Sequence, residues 1–417
     1  MEAGTPRADR GSLAAWRLAL ASFTLAALTG AFMRFGLYLG FPWGLQFADV
    51  RHAHSHLMFF SWATPALALA ADAALGTVGR RLPGGAATAI AAALAGLAAY
   101  VPFLLSGYRL LPVGDAELPL SMMASGLNGV VWYALAALYA SGSRGAPRTP
   151  ALRLFDGAFS LLVVSTFGVL LLMVEGMGGT STPLSVAANA DFFLTLFADG
   201  WFGLGLLGAL ACTRFADGPR RGFGLATWSL AAGLCLRSGA RLAAEHGLAS
   251  GLRWLEGAGG LIAAAAWLWL AYALWRRDVG GAGVGQVVAR VTLALIAAKA
   301  AVEVALALPA GEELVAREGL RVMLLHAYLL GAVTLGLASF GRARLGPVAW
   351  RGLGAFAVAV AAMVALLLPQ TGLWPATLGG FWALPAAALS SLGPALLGGY
   401  ALMASLGARL PGAATPR

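Results

Sequence analysis

The chain predicts an all-α polytopic membrane protein, on three observations. Of its 417 residues 59% are hydrophobic and only 11% are charged, a balance suited to a chain solvated mostly by lipid. Apolar stretches of about 20 or more residues, each able to span about 30 Å of hydrocarbon as a helix, recur along its whole length. Arginines gather in every second loop between them, as the positive-inside rule asks of cytoplasmic loops.

About twelve transmembrane segments follow. The first, residues 14–40, succeeds a polar stretch (MEAGTPRADRGSLAAWR) and is too long for a signal-peptide core, so it is expected to be retained. The second, 52–76, begins within a histidine-rich run. The third, 86–107, is rich in alanine and includes Pro102, and the fourth, 118–141, lies between Glu117 and Arg144. The fifth, 152–175, ends at Glu175; the sixth, 186–212, carries Asp191 and Asp199; the seventh, 223–244, carries Arg237 and Arg241. The eighth, 254–275, runs from near Glu256 to Arg276. The ninth, 285–308, holds Lys299 and Glu303, and the tenth, 319–340, holds His326. The last two, 348–368 and 378–407, are almost uncharged.

With this count, Arg7, Arg10 and Arg17, then Arg80 and Arg81, Arg144 and Arg148, Arg220 and Arg221, Arg276 and Arg277, and Arg342 and Arg344 all fall on one side. Both termini are therefore expected in the cytoplasm. The opposite loops carry Asp49, Asp115, Glu117, Glu175, Glu245, Glu312 and Glu313, so the net charge of +10 reflects topology and implies no nucleic-acid partner. The lipid bilayer is the expected partner, and a bacterial plasma (inner) membrane the expected location. No soluble domain is visible, so residues 1–417 read as one transmembrane domain with short cytoplasmic tails of about 1–13 and 409–417. Cys212 and Cys235 show no Cys-x-x-Cys spacing and make no disulfide framework.

Residues 51–60 read RHAHSHLMFF and place three of the five histidines at the start of a long apolar segment. An unpaired imidazole is costly there, so a metal or heme site is the leading expectation. His52, His54 and His56 lie at the outer end of the second segment, and His326, on the tenth, falls one to two turns below the same surface. Two helices could thus offer imidazoles at one level, as needed to hold a heme iron or a smaller ion. On a regular helix His52 and His56 share a face and His54 points nearly opposite, so the three imply two environments. The plainer reading is a histidine bonded to a backbone carbonyl. His246 is expected in an outer loop, solvated.

The seventh segment's Arg237 and Arg241 lie one turn apart at similar depth. They could pair with heme propionates, or with Asp191, Glu256 and Glu303 as ordinary ion pairs. Lys299, the only lysine, precedes Glu303 by one turn and can neutralise it as an i,i+4 pair. Asp199 lies deeper, and both it and Asp191 could serve as proton-relay acids or as partners steadying a histidine's ring N–H. Asp72 and Asp156 are expected at the cytoplasmic interface. A copper or zinc site using His52, His56 and a carboxylate, or His54 and His326, is a further option.

The run from His54 to Phe60 resembles the second-helix pattern of heme-copper oxidase subunit I, in which a heme-ligating histidine is followed by Met four and Phe six residues on. The chain also resembles the NnrS family of twelve-helix heme proteins, through His52-Ala-His54, Leu57-Met-Phe-Phe, and His326 with Gly331, Thr334 and Arg342. These resemblances imply a heme-copper-oxidase-like bundle, with His54 (or His56) and His326 as ligands of one heme b. The family's oxygen and nitric oxide reductases need six histidines in their metal sites, and this chain has five. Its sixth and seventh segments offer Asp191, Thr195, Asp199, Arg237 and Arg241 instead, and Leu324 stands where a second tenth-helix histidine belongs. A conventional oxygen or nitric oxide reductase is therefore not expected. What remains is heme-based electron transfer, or gas binding or sensing, with a periplasmic or membrane electron carrier or a small gas as partner. The alternative is a solute or metal transporter whose path is lined by the His/Asp/Arg layer.

Overall fold

The computed structural model describes residues 10–214, 222–248, 254–276, 283–307, 317–375 and 382–407, with the single positions 251, 311 and 313. Twelve long helices run through them: α1 (Arg10–Leu39), α2 (Phe47–Gly76), α3 (Gly85–Ser106), α4 (Leu120–Gly142), α5 (Pro150–Gly178) and α6 (Pro183–Thr213); α7 (Phe223–Glu245), α8 (Trp254–Trp275), α9 (Val284–Leu306), α10 (Glu318–Leu345), α11 (Leu353–Gln370) and α12 (Ala383–Leu406). Ten are long and apolar enough to cross a membrane, and the protein is a multi-pass membrane protein. The other two are α7, with Arg237 and Arg241, and α9, with Arg290, Lys299 and Glu303. Helix α1 starts at Arg10, so residues 10–13 of the expected tail are helical, while residues 1–9 and 408–417 lie outside the described residues.

Local chemistry sets several boundaries. Pro150 opens α5 behind Thr149, whose hydroxyl accepts the Leu152 N–H, and Pro183 opens α6 behind a Thr182/Ser185 capping box. A two-stranded hairpin, Leu111–Val113 with Ala116–Leu118, joins α3 to α4, turning at Gly114, whose φ of +63° suits glycine.

Burial separates the helices into two classes. In α2 and α6, 83% of the most apolar window is buried, and in α10 61%, against 50% or less in the other seven apolar spans. The three buried helices stand at positions two, six and ten, and each packs against the helix before and the helix after it. The chain is thus three consecutive four-helix units: α4 leads onto α5, α8 onto α9, and α12 closes back on α1.

Each central helix contains a π-helical stretch: Leu57–Ala63 in α2, Thr195–Leu204 in α6 and Ala327–Thr334 in α10. A π turn leaves a carbonyl to be met by the residue five positions on. In α2 the Thr64 hydroxyl donates to Phe59 O at 2.8 Å, and in α10 Thr334 donates to Leu329 O at 3.0 Å. In α6 the corresponding position is Gly203, and the Tyr328 hydroxyl reaches Ala198 O directly at 2.9 Å. A Cβ on Gly203 would stand 2.7 Å from that hydroxyl oxygen and 2.2 Å from Trp267 Cη2, so only glycine fits. The threonines also accept indole N–H groups, Thr334 from Trp62 at 3.2 Å and Thr64 from Trp201 at 3.5 Å. Helix α2 therefore donates to α10, α6 to α2, and α10 to α6, a closed ring of polar contacts in an apolar core.

Candidate functional site

Three grooves separate the central helices, and they differ in chemistry. The α2–α6 groove is closed by rings: Phe60 lies 5.6 Å from Phe197 and 4.9 Å from Trp132, and Phe59 lies 5.5 Å from Phe202. The other two flank α10.

The groove between α2 and α10, covered by α1, holds two histidines. His54 follows Phe47 by seven residues and His326 follows Glu318 by eight, so on rise alone they lie about 10 and about 12 Å into their helices. His54 points at α1: its Nδ1 is 2.8 Å from Ala26 O, and a Cβ on Gly30 would come within 2.9 Å of its Cε1. His326 Nδ1 is 2.7 Å from Val322 O. A carbonyl oxygen only accepts, so in each neutral ring Nδ1 carries the hydrogen and Nε2 keeps its lone pair. Neither Nε2 has a hydrogen-bond partner among the described residues. Arg34 of α1 lies within electrostatic reach of both rings, and the rings within reach of each other. Its Nη1 is 3.4 Å from Gln370 Oε1 at the end of α11. Beneath the histidines, Met58, Trp62, Phe202, Leu329, Val333 and Thr334 help line a void of about 10 Å³, the space of about one water.

The other two histidines of α2 face elsewhere, as the helical spacing predicts. His56 stacks on Phe103 of α3 with centroids 4.1 Å apart. Both its nitrogens are used: Nδ1 donates to His52 O at 2.8 Å, and Nε2 accepts from the Ser125 hydroxyl at 2.9 Å. His52 meets Tyr108 edge-on at 4.7 Å, and the nearby Asp49 is paired with Arg109 at 2.9 Å. Among the described residues, no three His, Cys, Asp or Glu side chains stand together where they could hold an ion.

The groove between α6 and α10, flanked by α7 and α9, holds an ion-pair ladder. Lys299 Nζ lies 3.0 Å from Asp199 Oδ2 and 2.7 Å from Glu303 Oε1, above the Tyr328 ring with Nζ 4.9 Å from its centroid. Glu303 also binds the Arg237 guanidinium, and Arg241 pairs with Asp191 at 3.6 Å on the rim. The i,i+4 pairing of Lys299 with Glu303 is as the sequence predicts. Arg237 and Arg241 both stand in ion pairs. The cation that both ring-bearing helices share is Arg34, which sequence reasoning missed; a lone arginine one turn from the end of an apolar helix was the available signal.

His246 departs from expectation. Its Nε2 donates to Asn189 Oδ1 at 3.2 Å and lies 3.4 Å from Glu175 Oε1, so it ties α7 to α6 and α5 instead of standing in solvent. At the other end of the bundle Asp72 accepts the Leu82 N–H at 2.8 Å, and Asp156 binds the Tyr139 hydroxyl at 2.9 Å and Arg148 at 3.2 Å.

No protein-family model matches the chain, and no curated protein matches it in sequence.

Proposed function

We propose that this protein binds one b-type heme near the outer face of a bacterial plasma membrane, between His54 and His326. It would serve electron transfer, or the binding or sensing of a gas such as NO or O2. The observation that carries the reading is the pair of uncommitted Nε2 atoms on neighbouring central helices at matched depth. An Nδ1–H held by a backbone carbonyl fixes the ring and raises the basicity of the other nitrogen, as in ligating histidines generally. His56, with both nitrogens engaged, is the weaker candidate, and a copper or zinc site built on His52 and His56 lacks a free third donor.

The remaining residues have definable tasks. Ala26 O and Val322 O orient the two imidazoles, Gly30 leaves room for the His54 ring, and Arg34 can neutralise a carboxylate of the cofactor. Both histidines are half-buried, and the void beneath them is too small for a macrocycle, so the cofactor belongs in the groove above it. Heme would supply one-electron exchange at its iron, and a gas site if one axial position stayed open. The resemblance to heme-copper oxidase subunit I stops at this site. Asp199 and Arg237 are tied up in ion pairs in the next groove, so the protein is not proposed to be a conventional oxygen or nitric oxide reductase. The transporter reading needs a path lined by the His/Asp/Arg layer, and in the ladder part of that layer the charges satisfy one another.

Optical spectra of detergent-purified protein, oxidised and dithionite-reduced, with a pyridine hemochrome assay, test the proposal. Sharp reduced bands should be present in wild type and His56→Ala and absent in His54→Ala and His326→Ala, and a shift with CO would reveal an open position. A colourless protein, expressed with heme supplied, would sink it.

A further inference from the structure

The ladder in the α6–α10 groove uses the one side chain in this sequence that a static scaffold had least reason to choose. Every other one of the chain's 28 basic residues is arginine, and the only lysine is Lys299. Arginine does not release its proton under protein conditions, whereas a lysine ammonium can, and arginine's planar fork suits two carboxylates better than a single ammonium does. The adjoining rung is Arg237, so the chain places arginine where it needs a fixed charge beside Glu303. The lone exception stands between two carboxylates, one of them, Asp199, in the π-helical stretch of α6.

Accessibility falls from the rim of the ladder to Glu303 and stays low beyond it. The Arg241 and Asp191 side chains are 42% and 34% exposed, Arg237 is 21%, Lys299 and Asp199 are 13% and 12%, and Glu303 is 5%. The exposed rung therefore lies at the histidine end of the bundle, and in order of contact Glu303 and Lys299 stand between it and Asp199.

We propose that Asp199, Lys299 and Glu303 form a proton-exchanging site fed from the histidine end, with Lys299 as the carrier. In one transfer an Nζ–H bond of Lys299 breaks and an O–H bond forms on Asp199 Oδ2. A hydronium ion entering past Arg237 gives one proton to Glu303 Oε1 and leaves as water, and Glu303 passes that proton to Nζ to restore the ammonium. The balance is one proton moved inward to Asp199, with no redox partner needed. The charged and titratable groups facing the carrier are Asp199 of α6, Arg237 of α7, Glu303 of α9 and Tyr328 of α10. This function does not depend on heme.

Because Lys299 is unique, protein made with [ε-15N]lysine in lipid nanodiscs gives a single side-chain amine signal. On transfer to D2O, that ammonium should exchange within seconds, while the indole N–H of Trp62, buried against Thr334 without a ladder, persists for hours. Exchange of Lys299 as slow as that of Trp62 would overturn the proposal. The second measurement separates a carrier from a merely wet ion pair. The protonated Asp199 carboxyl band, identified in infrared spectra by its loss in Asp199→Asn, should shift in D2O at least tenfold more slowly in Lys299→Arg, which keeps the charge. An unchanged rate in Lys299→Arg, or no such band between pH 4 and 9, would also overturn it. If Lys299→Arg does not fold, the comparison is made in wild type: the Asp199 carboxyl band should shift in D2O at the rate at which the Lys299 ammonium exchanges, and a carboxyl that shifts faster than the ammonium exchanges would overturn the proposal.

Discussion

The two grooves that flank α10 are built from equivalent helices yet treat their polar groups in opposite ways. Between α2 and α10, His54 and His326 each spend one nitrogen on a backbone carbonyl and keep the other unspent. Between α6 and α10, Lys299, Asp199, Glu303 and Arg237 bind one another. The first groove keeps lone pairs in reserve, as the proposed ligand requires; in the second each charge depends on the others being present. Loss of a side chain should therefore cost ligand in the first and stability in the second.

The sharpest way to break this contrast is Glu303→Ala, which strands the Lys299 and Arg237 charges in a nearly dry site. Removing one partner of a buried ion pair typically costs ~3–5 kcal/mol, so the variant should unfold at markedly lower temperature in detergent or fail to accumulate. His326→Ala should lose heme yet stay within ~1–1.5 kcal/mol of wild type, the worth of a typical hydrogen bond; comparable destabilisation by both variants would erase the distinction. Thr334→Val tests the hub beneath both grooves. It leaves the buried Trp62 indole N–H without its acceptor, an expected loss of ~1–3 kcal/mol measurable in the same melting assay. Gly30→Val sharpens the first groove alone by pushing the His54 ring, and should weaken heme on the order of tenfold, read by heme titration at unchanged melting temperature. Arg241→Ala should be the mildest, under ~1 kcal/mol, because its pair is exposed on the rim.

What could be read in the sequence was what depends on neighbours along the chain. The twelve helices follow from runs of apolar residues, the Lys299–Glu303 pair from i,i+4 spacing, and the opposed faces of His54 and His56 from 100° per residue. What could not be read depends on closure. Lys299 meets Asp199 across 100 residues, Trp62 meets Thr334 across 272, and His246 meets Asn189 across 57; no local period encodes such pairs. Arg34 escaped notice for a related reason. It acts electrostatically on two histidines carried by other helices, while in its own segment it is only an interruption of apolar sequence. The π-helical stretches were invisible because one inserted residue leaves no periodic mark in helices that are apolar on nearly every face.

Those stretches have one more consequence. A π turn inserts one residue into a helix, so the two ends of α2 are phased independently: one end aims His54 at α1, and the other delivers Trp62 to α10. Deleting one residue between Leu57 and Ser61 would restore a regular helix and turn His54 against Trp62 by about 100°. The protein could then keep the aim of its histidine or the anchor of its core, but not both. The widened turn acts as a mechanical coupling that lets a site and a scaffold with different angular requirements share one helix.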